Sequence, residues 1–330
     1  MKESVRTSKH PWLVGIVMVA IGGAYFALLG QSGFQEPAAS VKYDVQSYRD
    51  VDKVETTYDE TGEIDPGMAS PHALSVGVDG KIYVGGENEI VVFGSGDREL
   101  NRFAIEGRPE CMAVAENGFI LVGYSDHVEV LNAQGSVESV WDSPGTRPSL
   151  TSIAVYEGDV YVGDGGNKVV WHYDMEGRLL GEIGKKNEAE DIPGIQAPSA
   201  HVDLAINDEG DLWIVNPGMG GLERYRSDGS IVTSWYRQNL TLEGFSGCCN
   251  PTHVAFRGDG KLITAEKGLV RVKVWDVTHG DYEDLVAGTK VFPREQSLWD
   301  IVVDTRDRIL ALDPRSDTIR IFEEKESSDG

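Results

Sequence analysis

The chain has 330 residues with 54 acidic against 30 basic side chains, a formal charge of −24. That balance repels phosphate backbones and excludes nucleic acid as a partner, and it excludes docking of the main body on anionic lipid by charge alone. Three cysteines are too few for a disulfide-stapled scaffold, and an odd number leaves at least one without an intrachain partner.

Residues 1–10 carry Lys2, Arg6 and Lys9, and an uncharged run, "PWLVGIVMVAIGGAYFALLG", follows over 11–30. A helix of about 20 apolar residues matches the thickness of a bilayer core. A cleaved secretory signal is the alternative, but its apolar part is shorter, about 7 to 15 residues, and ends in a small-x-small site that is missing here. The expectation is an uncleaved, single-pass transmembrane signal anchor. Basic residues precede it and the first charge after it is Glu36, so 1–10 form a cytoplasmic tail and everything beyond is exported, to the periplasm or outer surface of a bacterium. Residues 31–42 read as a linker of small and polar residues without periodicity.

Six copies of one pattern occupy the chain from about residue 70: "LSVGVDGKIYVGG", "MAVAENGFILVGY", "SIAVYEGDVYVGD", "LAINDEGDLWIVN", "VAFRGDGKLITAE" and "IVVDTRDRILALD". Each is an apolar strand, a tight turn and a second apolar strand. The turns centre on Gly80, Gly118, Gly158, Gly210, Gly260 and Asp307, and Asp-Gly and Asn-Gly pairs predict hairpins in which both turn residues have positive φ. A third strand, and in most copies a fourth, follows each hairpin. The turns lie 38, 40, 52, 50 and 47 residues apart, the period of four-stranded propeller blades. The last copy runs out after "DTIRIFE", and the alternating stretch "VKYDVQSYRDVDKVETTYDETGEI" supplies its missing strand. The expected architecture is therefore an all-β, six-bladed β-propeller over 43–325 with an N-terminal closing strand, followed by a charged tail at 326–330.

The segments "GDGGNKVVWHYDMEGRLLGEIG", "AEKGLVRVKVWD" and "LDPRSDTIRIFE" resemble the NHL repeat, with its Asp, loop, Asn or similar, basic strand, apolar pair and Asp. The likeness spans roughly residues 70–325 and is weakest in "VGYSDHVEVLNAQG", where the Asp-x-x-Asn feature is lost. It implies a six-bladed propeller of a bacterial, membrane-anchored type. Function is less constrained, since NHL proteins include binding scaffolds, surface and sensor domains and a few metal-dependent enzymes.

Aligning the copies on their turns places Ala73, Cys111, Ser152, Asp203, His253 and Asp300 at one position, where each inner strand begins at a mouth of the central channel. His72, Glu110 and His201 lie one or two residues upstream, and Trp299 stands beside Asp300. In "GFSGCCNPTHVAF", Cys248 and Cys249 sit on the loop leading to His253. The expected ligand-binding set is His72, Cys111, His201, Asp203, Cys248, Cys249, His253, Trp299 and Asp300. Polar groups in such a ring also serve simply to satisfy strand ends. Adjacent cysteines allow a strained vicinal disulfide, a bridge from one of them to Cys111, or a metal held by Cys249 and His253, which Zn or Cu would accept. A Ca site would draw on Asp203 and Asp300 but lacks the matching amide oxygens. Cys-x-x-Cys-His, Gly-x-Ser-x-Gly and His-Glu-x-x-His do not occur. Two functions stand: a membrane-anchored binding or sensing module taking a protein partner or small-molecule ligand at the channel mouth, or a metal- or thiol-dependent propeller enzyme. The enzyme would be a small-molecule hydrolase or lyase, or an accessory of a membrane redox complex.

Overall fold

Apolar runs of four to six residues punctuated by glycine turns become six four-stranded antiparallel sheets in the computed structural model, which describes residues 54–189, 192–292 and 296–326. The described residues open with β1 (Tyr58–Ile64). The first blade is β2 (Ala73–Val76), β3 (Ile82–Gly86), β4 (Glu89–Phe93) and β5 (Glu99–Ala104). The second is β6 (Cys111–Val114), β7 (Ile120–Gly123), β8 (His127–Leu131) and β9 (Val137–Asp142). The third is β10 (Leu150–Tyr156), β11 (Asp159–Asp164), β12 (Val169–Asp174) and β13 (Leu179–Ile183). The fourth is β14 (Leu204–Ile206), β15 (Leu212–Asn216), β16 (Gly221–Tyr225) and β17 (Ile231–Tyr236). The fifth is β18 (His253–Phe256), β19 (Leu262–Ala265), β20 (Val272–Asp276) and β21 (Asp281–Ala287). The sixth combines β22 (Asp300–Val303), β23 (Ile309–Asp313) and β24 (Thr318–Glu324) with β1.

The inner strands β2, β6, β10, β14, β18 and β22 neighbour one another in that order, and β22 returns to β2, closing a six-bladed propeller. Burial follows from this geometry. Second strands such as β3, β15 and β23 are covered on both faces by adjoining blades and are buried along their whole length. Outer strands such as β5 are mostly exposed. Tryptophans fill the gaps between blades: Trp235 packs against Trp275 with ring centroids 5.4 Å apart, and Phe245 lies 4.8 Å from Trp275.

The inner hairpins depart from the expected turn type. In five of them a type I turn precedes a single left-handed residue, as where Gly80 N–H donates to Gly77 and Gly77 N–H to Lys81; the left-handed residues are Gly80, Gly118, Gly210, Gly260 and Asp307. Only the third has positive φ at both turn residues, Glu157 and Gly158. The longer loop needs left-handed backbone at one position, which Asp307 fills at φ 60° without a glycine.

β1 pairs antiparallel with β24 from Tyr58↔Glu324 to Ile64↔Ile319, with an irregularity between Glu60 and Gly62. The apolar span 11–30 and the linker 31–42 lie outside the described residues, and among the described residues no helix is long and apolar enough to cross a membrane.

Candidate functional site

A cavity of about 970 Å3 follows the propeller axis, lined by all six inner strands. At the end where the inner strands begin, it meets His72, Cys111, His201, Asp203, His253, Trp299 and Asp300; Cys248 and Cys249 are outside the lining.

Three of the aligned positions stitch each inner strand to the next. Ser152 Oγ accepts from Leu204 N at 3.2 Å, Asp203 Oδ2 from Val254 N at 2.8 Å, and Asp300 Oδ2 from Leu74 N at 2.8 Å. In each case the acceptor is one position before the residue whose amide it meets, counted in the following blade. The inner strands' inward amides lack a ladder partner, so a short polar side chain at this position satisfies one. Ala73 and Cys111 do not serve in this way. Ala73 has no polar group, and Cys111 packs so tightly on Gly123 that a Cβ there would lie 2.4 Å from its Sγ.

Buried Asp203 and His253 and half-buried His201 and Asp300 form an interacting group. His253 Nδ1 is 3.7 Å from Asp203 Oδ2, and its Nε2 donates to the Leu298 carbonyl at 3.2 Å. His201 Nε2 donates to the Thr252 carbonyl at 2.9 Å, and its ring meets His253 edge-on at 5.1 Å. Burial opposes charge on Asp203 and His253 alike, but their mutual attraction prevails: the carboxyl falls below its ordinary value and the imidazole rises above its own. Burial, and then the His253 charge, depress His201 to about 4. Burial raises Asp300 to about 7, with Asp203 adding to it and His253 opposing. The Cys111 thiol is pushed well up by burial and by Asp300, Asp203 and Glu110, which keeps it protonated and weakly nucleophilic.

A second group stands at the rim between the sixth, first and second blades. His72 Nε2 donates to Glu110 Oε2 at 3.0 Å, while Arg108 reaches Glu110 Oε1 at 3.2 Å. The His72 hydrogen bond is the main reason the Glu110 carboxyl falls below its ordinary value. His72 Nδ1 is buried without a hydrogen-bond partner among the described residues. Trp299 meets the His72 ring edge-on at 4.4 Å and is 39% exposed.

Cys248 and Cys249 are free thiols with sulfurs 3.5 Å apart, and Cys248 is exposed. Burial and the neighbouring Cys248 raise the Cys249 thiol, which lies beside Ser199 and Lys267. With both His253 nitrogens facing Asp203 and Leu298, the imidazole has no nitrogen turned toward Cys249, and among the described residues no group of three or more His, Cys, Asp or Glu is placed to hold a metal. The pairing of Cys249 and His253 around Zn or Cu, and a Ca site on Asp203 and Asp300, therefore have no preformed ligand set here.

Arg108 and Lys267, which are not among the residues expected from the sequence, also line this end of the cavity. The signal was topological: Lys267 closely follows β19, and a second strand ends at the mouth where the first begins.

No family model matches the chain, and no curated protein matches it. Solved structures do. A streptogramin B lyase is similar at TM-score 0.57 and 11% identity, covering 79% of this chain and 96% of that one. Virginiamycin B lyase from Staphylococcus aureus is similar at TM-score 0.54 and 13% identity, covering 84% and 90%. The WD40 β-propeller domain of Doa1 is similar at TM-score 0.55 and 12% identity, covering 77% and 79%. At such identities the likeness shows a shared fold, and that fold, the β-propeller, carries both enzymes and binding domains.

Proposed function

We propose that the chain is a binding or sensing module, held to a membrane by 11–30 with its propeller on the exported side, that takes a small-molecule ligand at the mouth where the inner strands begin. The NHL-like repeats belong to the same reading. The observation that carries it is the axial cavity of about 970 Å3, whose one end gathers side chains from all six blades. Cavities of this size with a few convergent polar groups are where small molecules bind. The ring acceptors are engaged with backbone amides, which makes the mouth a shaped receptor before any ligand arrives.

Thermal unfolding of the full-length protein against a panel of small molecules tests this. A ligand at about 100 times its Kd stabilises by about 2.7 kcal/mol. Ser199→Trp, which sets an indole at an exposed position in the lining of the mouth, abolishes that shift. A panel that leaves unfolding unchanged, or a shift indifferent to the indole, sinks the proposal. Protease added to cells with an opened outer envelope digests the propeller and spares the N-terminal tail; a mature chain starting after residue 30 overturns the anchor.

A lyase reading rests on one observation, the Asp300 carboxyl, raised to about 7, at the same end of the cavity as His253, whose imidazole Asp203 raises above its ordinary value, a pair suited to proton transfer. Among the similar structures is a virginiamycin B lyase made catalytically inactive by a histidine-to-alanine change. Turnover of a bound ligand that Asp300→Asn stops, with binding retained, would select this reading.

A further inference from the structure

We propose that the rim between the sixth, first and second blades is a subsite for a neutral carbohydrate ring, stacked on Trp299 and hydrogen-bonded through its hydroxyls to His72, Glu110 and Asp300. The inference rests on reading the mouth as a ligand site and names the class of ligand.

The first observation is Trp299. The other described tryptophans, Trp141, Trp171, Trp213, Trp235 and Trp275, are buried between blades, whereas Trp299 is 39% exposed and lines the cavity. Its ring is braced by the edge-on contact with His72, so it offers a fixed apolar surface with little rotamer freedom to lose on binding. Such a surface suits the C–H face of a sugar ring, an aromatic ring or a cation.

Hydrogen-bonding capacity narrows the choice. His72 gives its Nε2 proton to Glu110, which leaves Nδ1 as a buried acceptor without a partner. A buried polar atom left unmade costs about 1–3 kcal/mol, so a donor arriving there is favoured. Glu110 and Asp300 are acceptors beside it, and both line the cavity. Each oxygen of Glu110 and Asp300 already accepts one bond and keeps a second lone pair beside the apolar plate, which suits a ligand bearing hydroxyl donors; a flat hydrocarbon ring supplies none.

Charge excludes the ionic alternatives. Glu110, Asp203 and Asp300 share this end of the cavity with Arg108, His253 and Lys267. An organic cation would meet the three bases, and an anion would meet the carboxylates. A neutral polyhydroxylated ring meets neither penalty.

The test is calorimetric titration of the full-length protein in a polyoxyethylene detergent, which has no sugar headgroup, with glucose, N-acetylglucosamine, maltose and chitobiose, and with choline as the cationic probe. At least one saccharide binds the unaltered protein, and Trp299→Ala weakens it tenfold or more while the unfolding midpoint stays put. Trp299→Phe, which keeps a smaller plate, weakens it less. Equal affinity in the unaltered and Trp299→Ala proteins overturns the subsite. Binding of choline without any saccharide overturns the ligand class while the mouth stands as a ligand site. If neither these probes nor the wider panel binds, both proposals fall together.

Discussion

Two of the places where the molecule buries charge, inside the fifth blade and at the channel mouth, handle it in opposite ways. Within the blade, Lys273 and Glu266 are both fully buried with Nζ and Oε1 2.8 Å apart. The ammonium also donates to the carbonyls of Leu242 and Gly244 and lies 4.6 Å and 4.7 Å from the Phe245 and Trp275 rings. Glu266 Oε2 accepts from Ser246 N at 2.7 Å and Ser246 Oγ at 3.0 Å. Arg271 adds a donor to the carbonyls of Leu240 and Thr241. The contacts to Leu240, Thr241, Leu242, Gly244, Phe245 and Ser246 tie that segment to the blade, and the loop bearing Cys248 continues from it. At the mouth, Asp203, His253, His201 and Asp300 have fewer partners, line a cavity, and hold protons at displaced pH values. A buried ion pair held by several further hydrogen bonds acts as a clamp. Buried charge beside open space remains responsive to whatever enters.

The largest effect expected from this contrast is at the clamp. Lys273→Met should cost about 3–5 kcal/mol, because it strands a buried carboxylate. Adding Glu266→Leu to Lys273→Met should recover much of that loss, as apolar residues replace the pair. Urea unfolding measures both, and a near-silent single substitution would erase the distinction between clamp and mouth.

A smaller, pH-dependent effect is expected at the mouth. Asp300, raised to about 7, contributes stability that is present below its unfolded value near 4 and lost as pH rises through about 7. His201, lowered to about 4, contributes stability that is present above about 6.5 and lost as pH falls toward 4. The two slopes oppose one another between about pH 4 and 6.5, each bounded by about 1.4 kcal/mol per pH unit. Asp300→Asn keeps a carbonyl for the Leu74 amide and removes one slope. Its stability relative to the unaltered protein should therefore climb from about pH 4 to about pH 7 and then level. A difference that is flat across that interval would mean Asp300 titrates like an ordinary carboxyl.

The smallest effect belongs to a surface pair at the ring closure. Arg320 grips Glu60 through two bonds of 2.7 Å and 2.6 Å in exposed surroundings. Glu60→Gln should cost no more than about 1 kcal/mol and less at high salt. A loss as large as that of Lys273→Met would place this pair with the clamp instead.

Much of the scaffold could be read from the chain. The glycine turns and alternating apolar residues marked the hairpins, and the short last repeat pointed to a strand from the other end of the chain. Turn spacing also aligned Ser152, Asp203 and Asp300. Their common task was not legible, since Asp203 meets an amide 51 residues away and Asp300 one 226 residues away. Lys273 was opaque for another reason. In "VRVKVWD" the alternation suggests one wet face, but β20 is covered on both faces, so its lysine is buried with its valines. The vicinal cysteines drew attention by their rarity, which says nothing about whether their loop turns toward the channel.

The sixth sheet joins β1 to β24, residues from opposite ends of the described chain. A polypeptide emerging from the ribosome makes β1 first and must hold it unpaired until Thr318–Glu324 has been synthesised. The same junction carries the Asp300 bond to Leu74, so it too forms only at the end. During that wait β1 is guarded by its own sequence: Asp59, Glu60 and Glu63 crowd a short strand with a kink, a poor template for another nascent chain. A stalled or shortened product lacking β24 would leave five blades with a broken circumference, recognisable to quality control by the bare edge of β23.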